Sequence, residues 1–176
     1  KKLLLILLCL PMIGFGQTLI LDANFEQALI NLGYDTGTPN GSVPTANIDT
    51  VTYLSIDNQS IADLTGIEDF TALTYLDCSD NQLTSLDVSQ NTALTNLYCS
   101  NNQLTTLDVS QNTNLEKLIC YANQLTCLNV KNGNNINIAY FQADVNTNLT
   151  CIEVDNTTYS NANWTGTGFY FDFQSS

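Results

Sequence analysis

Histidine and arginine are absent from this 176-residue chain, and its four basic residues are all lysines: Lys1, Lys2, Lys117 and Lys131. Without imidazole the commonest general base and the commonest neutral metal ligand are gone, which excludes Ser/His/Asp and Cys/His machinery outright. Set against 17 acidic residues and a net charge of −13, so few cations argue against nucleic acid or an anionic membrane surface as partner. Acidity of this kind keeps a chain soluble and self-repelling. Long apolar runs are also missing after the first residues, so no later segment is suited to cross a bilayer. Paired glycosidase carboxylates need a cleft that raises the pKa of one of them, and nothing marks such a pair among these acids. No enzymatic activity and no cofactor is expected.

The one apolar run is the opening, KKLLLILLCLPMIGFG. Two lysines, an apolar stretch from Leu3 to Leu10 and the small-x-small pattern of Gly14, Phe15 and Gly16 read as a secretory signal peptide, residues 1–16. A transmembrane helix needs about 20 apolar residues, and Pro11 and Gly14 interrupt this run. The remainder is one domain in length. Export permits disulfides.

What the chain has in abundance is itself. LTYLDCSDNQLTSLDVSQNTA (73–93), LTNLYCSNNQLTTLDVSQNTN (94–114) and LEKLICYANQLTCLNVKNGNN (115–135) align with a period of 21. Residues 51–72 fit with one extra residue, and residues 136–156 fit after an insertion near Asn146, giving five coils. Apolar residues at the first, fourth and sixth positions (Leu73, Leu76 and Cys78; Leu94, Leu97 and Cys99; Leu115, Leu118 and Cys120) predict one short strand per coil with an inward face. Asn81, Asn102 and Asn123 stand at the ninth position, with Gln59 and Asp144 in the outer coils. An amide there bonds the backbone freed by a buried turn. Leu83, Leu104 and Leu125, then Leu86, Leu107 and Leu128, then Val88, Val109 and Val130 return to the core. No coil buries these faces alone; stacked coils share one core.

The pattern L-x-x-L-x-C-x-x-N-x-L-T-x-L-D-V-S-x-N-T-x resembles the 21-residue class of bacterial leucine-rich repeats, close to the 22-residue repeats of internalin-like surface proteins. The resemblance covers residues 51 to about 156. It implies a leucine-rich-repeat solenoid, α+β but mostly β, with parallel strands and capped ends. It departs in the first coil, and in the fifth, where Phe141 is expected to replace the cysteine. The ends fit such caps. In residues 17–50, Phe25, Ala28, Leu29 and Leu32 share a helical face with Asp22 as N-cap and Gly33 as stop, followed by a loop over 34–50. Residues 157–176 supply Tyr159, Trp164, Phe169, Tyr170, Phe171 and Phe173 as an aromatic C-terminal cap. The resemblance also implies a further C-terminal region, often a sorting or anchoring domain.

Three cysteines 21 residues apart invite a metal or redox reading. Cys78, Cys99 and Cys120 all fall on the inward side of the strand, where a thiol is a small buried hydrophobe. Cys127 and Cys151 share one slot outside the strand in adjacent coils and are a candidate disulfide; a partner for Cys151 further along the chain is the alternative. The column Asp87, Asp108 and Asn129 raises calcium, which wants six to eight converging oxygens. A straight column offers few, and solvated side chains bonding turn amides are expected instead.

Repeat proteins bind through positions that the repeat leaves free. Here those are the third, fifth and seventh slots of each strand region, which hold Tyr53, Tyr75, Asp77, Tyr98, Lys117, Ile119, Tyr121, Ile138 and Tyr140. Tyrosine offers contact area with few torsions and a polar tip, although strands favour Tyr and Ile in any case. Five strands at ~4.8 Å make a face on the order of 300 Å², below the ~800 Å² per partner of a standard interface. The expected role is protein binding at or near a cell surface. A glycan on the same tyrosines is the alternative, and ice binding through Thr84, Thr105 and Thr126 is a third reading.

Overall fold

The structure, a computed structural model, describes residues 16–164 and 173–174. The expected signal peptide lies outside the described residues apart from Gly16, as do Phe169, Tyr170 and Phe171 of the expected aromatic cap.

The chain opens with β1 (Gln17–Leu19), then α1 (Ala23–Asn31) and β2 (Ser42–Pro44), which pairs antiparallel with β1. Asp22 caps α1 as its side chain type predicts, Oδ1 accepting from the amides of Asn24 (2.7 Å) and Phe25 (3.1 Å). Its second oxygen accepts from Ala62 N at 2.7 Å, so one carboxylate both starts the helix and ties it to the first coil. Phe25, Ala28 and Leu29 are buried, whereas Leu32, expected on the same face, is 47% exposed at the C-cap. The stretch 34–50 is more ordered than a loop: it contains β2 and a 3-10 turn at Thr45–Asn47. Glu26 explains part of this, because its buried carboxylate accepts from the amides of Asn40 and Gly41 and folds the segment back over the helix. Gly66 completes the junction at φ +105°; a Cβ there would meet Leu19 O at 2.6 Å.

The coils follow as β3 (Tyr53–Ser55), β4 (Tyr75–Asp77), β5 (Asn96–Tyr98), β6 (Thr106–Asp108), β7 (Lys117–Ile119), β8 (Cys127–Asn129), β9 (Tyr140–Gln142) and β10 (Cys151–Glu153), then α2 (Thr157–Asn163) and β11 (Phe173–Gln174). They form two parallel sheets, β3-β4-β5-β7-β9 and β6-β8-β10-β11, where one strand per coil was expected. The second sheet arises because the segment around Leu107 and Leu128 is also one inward residue between two outward ones. Leu54, Leu76, Leu97 and Leu118 from one side and Leu83, Leu104, Leu125, Leu107 and Leu128 from the other fill a single continuous core; Leu86 is only half-buried.

Asparagine ladders run through this core and close the accounting of its turns. Asn102 donates through Nδ2 to Cys78 O (3.0 Å) and Cys99 O (3.2 Å) and accepts at Oδ1 from Leu83 N (2.9 Å). Asn81 and Asn123 repeat the arrangement in their own coils. Each side chain thus satisfies backbone groups of its own coil and of the one before it. Gln59 takes only part of this role: it is exposed, its side-chain amide donates to Asp57 O of its own turn at 2.9 Å, and its backbone N–H donates to Asn81 Oδ1.

Coil five sits in a different register from the one its apolar letters suggested. Tyr140 pairs with Lys117 and Phe141 with Leu118. Phe141 therefore continues the leucine column, Ala143 takes the cysteine position, and Asn146 rather than Asp144 carries the ladder, donating to Cys120 O (3.1 Å) and Ala143 O (2.9 Å). The spacing to the previous coil is already 23 at Tyr140, with the 3-10 turn Asn135–Asn137 before the strand, and becomes 24 at Cys151, so only the last extra residue lies just after Asn146. Ile138 accordingly packs in the core at 2% exposure, and Ile136 is 64% exposed. At the C-terminal side, residues 157–163 form a helix that the aromatic content did not announce, and buried Trp164 stacks on Phe141 with ring centroids 4.4 Å apart.

Candidate functional site

In each three-residue strand the middle side chain is drawn inward and its two neighbours stand on the outer face. On the five-strand sheet the parallel register then aligns outward residues of successive coils into rows about 4.8 Å apart. Tyr53 and Tyr75 are register partners and their rings stack, centroids 4.3 Å apart at 14°. Tyr98, one slot further along its strand, reaches Tyr75 at 5.3 Å and 39°. Lys117 continues the row: its Nζ lies 5.6 Å from the Tyr98 ring centre and 4.2 Å from that of Tyr140, a cation over two π faces. The row Tyr53, Tyr75, Tyr98, Lys117, Tyr140 crosses all five strands.

Burial pushes the Tyr75 phenol well above its ordinary pKa, with the Asp77 carboxylate adding to the effect, so Tyr75 remains a neutral hydroxyl throughout the physiological range. Tyr53 and Tyr140 are 57% and 62% exposed. Tyr75, Asp77, Tyr98, Lys117, Ile119 and Tyr121 are half-buried on the same face. Ile138 is the exception among the expected residues, being in the core, and the outward slot assigned to it belongs to Tyr140. Beside β9 the face opens into a depression of about 270 Å³ lined by Ile119, Tyr140, Gln142 and Trp164 among others.

The cysteines divide as their slots suggest. Cys78, Cys99 and Cys120 are free and buried, and burial raises all three thiols, Cys120 to about 12. They are protonated and shielded, the opposite of a reactive or metal-binding thiolate. Cys127 and Cys151 form a disulfide with Cα atoms 4.9 Å apart. They do so within strands β8 and β10, as register partners on the outer side of the second sheet, rather than outside a strand.

That second face is polar and regular. Asp87, Asp108 and Asn129 each accept from the amide two residues on, at 2.9, 2.8 and 3.0 Å, and Asn129 also donates to Asp108 at 3.2 Å. Burial alone would raise the Asp108 carboxyl, but the Ser110 amide and hydroxyl and the Asn129 amide outweigh it and hold the group below its usual range. Among the described residues no cluster of three His, Cys, Asp or Glu side chains is placed to hold a metal ion. On the threonine column, Thr126 and Thr150 donate their hydroxyls to carbonyls of the preceding coil.

Two features escaped the sequence reading. Asn91, Asn112 and Asn132 form a second buried ladder, for example Asn112 Nδ2 to Val88 O at 2.9 Å and Asn91 O at 3.0 Å; the recurring Asn-Thr of the repeat was its signal. The eighth position of every coil is left-handed, occupied by Asn58, Asp80 and Asn101, which tolerate that region, and then by Ala122 and Val145, which do not.

No family model matches the chain. Internalin J of Listeria monocytogenes is 57% identical over 42 residues, 24% of this chain and 5% of that protein. The crystal structure of an internalin, InlF, from the same species superposes with a TM-score of 0.57 at 20% identity, over 80% of this chain and 53% of that one. The fold is that of an internalin-like leucine-rich-repeat solenoid. A functional domain of InlJ described as including a cysteine ladder aligns over 76% of this chain and 50% of that one, with 23% identity and a TM-score of 0.41. The chain spans about half the length of these solved structures and a small fraction of the curated relative. Among its described residues no helix is long and apolar enough to cross a membrane.

Proposed function

We propose that this internalin-like solenoid is a secreted or surface-displayed protein-binding module, non-enzymatic, that contacts its partner through the outer face of the five-strand sheet. The observation that carries the reading is the row from Tyr53 to Tyr140: large rings spend their stacking partners on one another across a face whose core is already complete. Preordered aromatics lose little entropy on binding and are the residue type most enriched where partners meet. The depression lined by Ile119, Tyr140 and Trp164 extends the row and adds area that the strands alone lack.

The same geometry weighs against the glycan alternative. A sugar-binding site usually offers several open ring faces, whereas Tyr75 has a ring on either side and Lys117 lies over Tyr98 and Tyr140, which leaves the outer face of Tyr53 as the open end of the row. Ice binding is disfavoured because the neighbouring slots Ser85, Thr106 and Cys127 do not continue a threonine array beside Thr84, Thr105 and Thr126, and Thr126 commits its hydroxyl proton to Thr105 O. The C-terminal end of the core, in this reading, is closed by aromatic residues, of which Trp164 on Phe141 is the first.

Affinity capture from cell-surface protein extracts tests the binding role. The wild-type chain is expected to retain a discrete protein that the Tyr75→Ala/Tyr98→Ala variant loses, with both showing the same cooperative melting. Retention by both variants would place the site elsewhere, and retention of glycan alone would favour the second reading.

A further inference from the structure

We propose that the coil-one to coil-three part of the tyrosine row recognises a cationic protein segment, one presenting Lys or Arg side chains. This rests on the binding role assigned above and narrows its partner. The face is asymmetric in charge. Its first three coils, residues 51–114, contain no basic residue, while Asp77 is the register partner of Tyr98 on one side and of Ser55 on the other, and Asp57 stands in the turn that follows β3. Both carboxylates are fixed through one oxygen: Asp77 Oδ1 accepts from Ser79 N at 3.0 Å and Asp57 Oδ1 from the Ser55 hydroxyl at 2.8 Å. They are therefore oriented groups rather than freely turning surface charges.

The molecule already displays the interaction in question. Lys117, the sole cation on the described face, does not reach into solvent but lies over Tyr98 and Tyr140. Tyrosines of this row thus act as seats for an ammonium group. At the opposite end, Tyr53 closes the row with 57% of its surface exposed and no lysine of the chain beside it in sequence. A partner Lys or Arg at that end meets ring and carboxylate together, a pairing in which both terms favour positive charge. The excess of acids over bases in the whole chain steers such a partner inward. Tyr75 supports the assignment because its phenol, raised by burial and by Asp77, adds no negative charge of its own and leaves the carboxylates as the anionic element.

The test uses fluorescence anisotropy with three labelled peptides of one length, carrying four Lys, four Gln or four Glu in a Gly/Ser background. The Lys peptide is expected to bind the wild-type chain in low salt and the other two not. Asp57→Asn/Asp77→Asn, which keeps the oxygen that each internal bond needs, should weaken it about tenfold or more. Asp87→Asn/Asp108→Asn removes the same charge from the other sheet and should change it by no more than about twofold. Equal losses in the two variants would mean attraction by net charge only and would overturn the proposal. Binding of the Gln or Glu peptide that Tyr75→Ala/Tyr98→Ala abolishes would keep the face as a protein-binding site and overturn its cationic preference. Absence of binding by the Lys peptide would overturn it as well, leaving the capture experiment to judge the binding role on its own.

Discussion

The two sheets of this solenoid are built from the same repeat and the same core, yet their outer faces follow different rules. On the five-strand sheet the register partners Tyr53, Tyr75, Asn96, Lys117 and Tyr140 set three large rings and a lysine in one outward column. On the side of the second sheet, Asp87 in the coil before it and Asp108 and Asn129 within it each close their own turn. Packing cannot explain the difference, since both sets of side chains point away from the core. A column whose side chains close turns is occupied with holding the coil in shape; a column released from that task carries large rings instead. The disulfide belongs to the first kind, joining β8 to β10 where the coil length becomes irregular.

The largest expected effect comes from the regular side. Cys127→Ser/Cys151→Ser opens a link between residues 24 apart, which in the chain-entropy account costs about 3 kcal/mol. Chemical denaturation should show that loss with binding at the five-strand face intact; loss of binding as well would mean that the two faces are not separable. Cys99→Ser places a hydroxyl at a fully buried position beneath the tyrosine row, at a cost of about 2 kcal/mol. An unchanged denaturation midpoint would contradict the reading of that thiol as core. Tyr75→Ala/Tyr98→Ala removes ring pairs worth about 1 kcal/mol in stability, a small change in midpoint beside complete loss of partner capture.

Smaller effects sharpen the picture. Val145→Asn relieves a β-branched residue at φ 58° and should stabilise the chain by about 1 kcal/mol; a loss of stability would mean that Val145 makes contacts that outweigh its backbone. The buried thiols predict a pH dependence. Their folded pKa values lie above the ordinary thiol value of 9.0, with Cys120 at about 12, so only the unfolded chain ionises them readily. Their contribution to stability is complete below about pH 9 and declines as pH rises towards 12. A melting temperature constant across that range would contradict their burial, as would rapid alkylation of the native protein.

Much of this was legible in the letters. The 21-residue period, the inward leucines and cysteines, the Asp22 cap and the shared slot of Cys127 and Cys151 follow from spacing, because each depends on position within one coil or its immediate neighbour. The second sheet was missed since a single inward leucine between polar residues does not distinguish a strand from a turn; the ladder to the next coil decides it. Coil five was misread because Ile136 and Ile138 are equally apolar, and only pairing of Tyr140 with Lys117 selects between them. The tyrosines were visible as a set, but their stacking was not: Tyr53 and Tyr75 share a slot, whereas Tyr98 sits in the next one and joins the row by the reach of its ring.

The central claim, that the ring-bearing face binds and the turn-closing face supports, reduces to one paired comparison. The affinity of the captured partner is measured for the wild-type chain, for Tyr75→Ala/Tyr98→Ala on the five-strand face, and for Ser85→Ala/Thr106→Ala on the second. The account predicts a loss of about a hundredfold or more for the first pair, the scale of a binding hot spot, and a change within about twofold for the second. Equal losses, or a loss confined to the second pair, would contradict it.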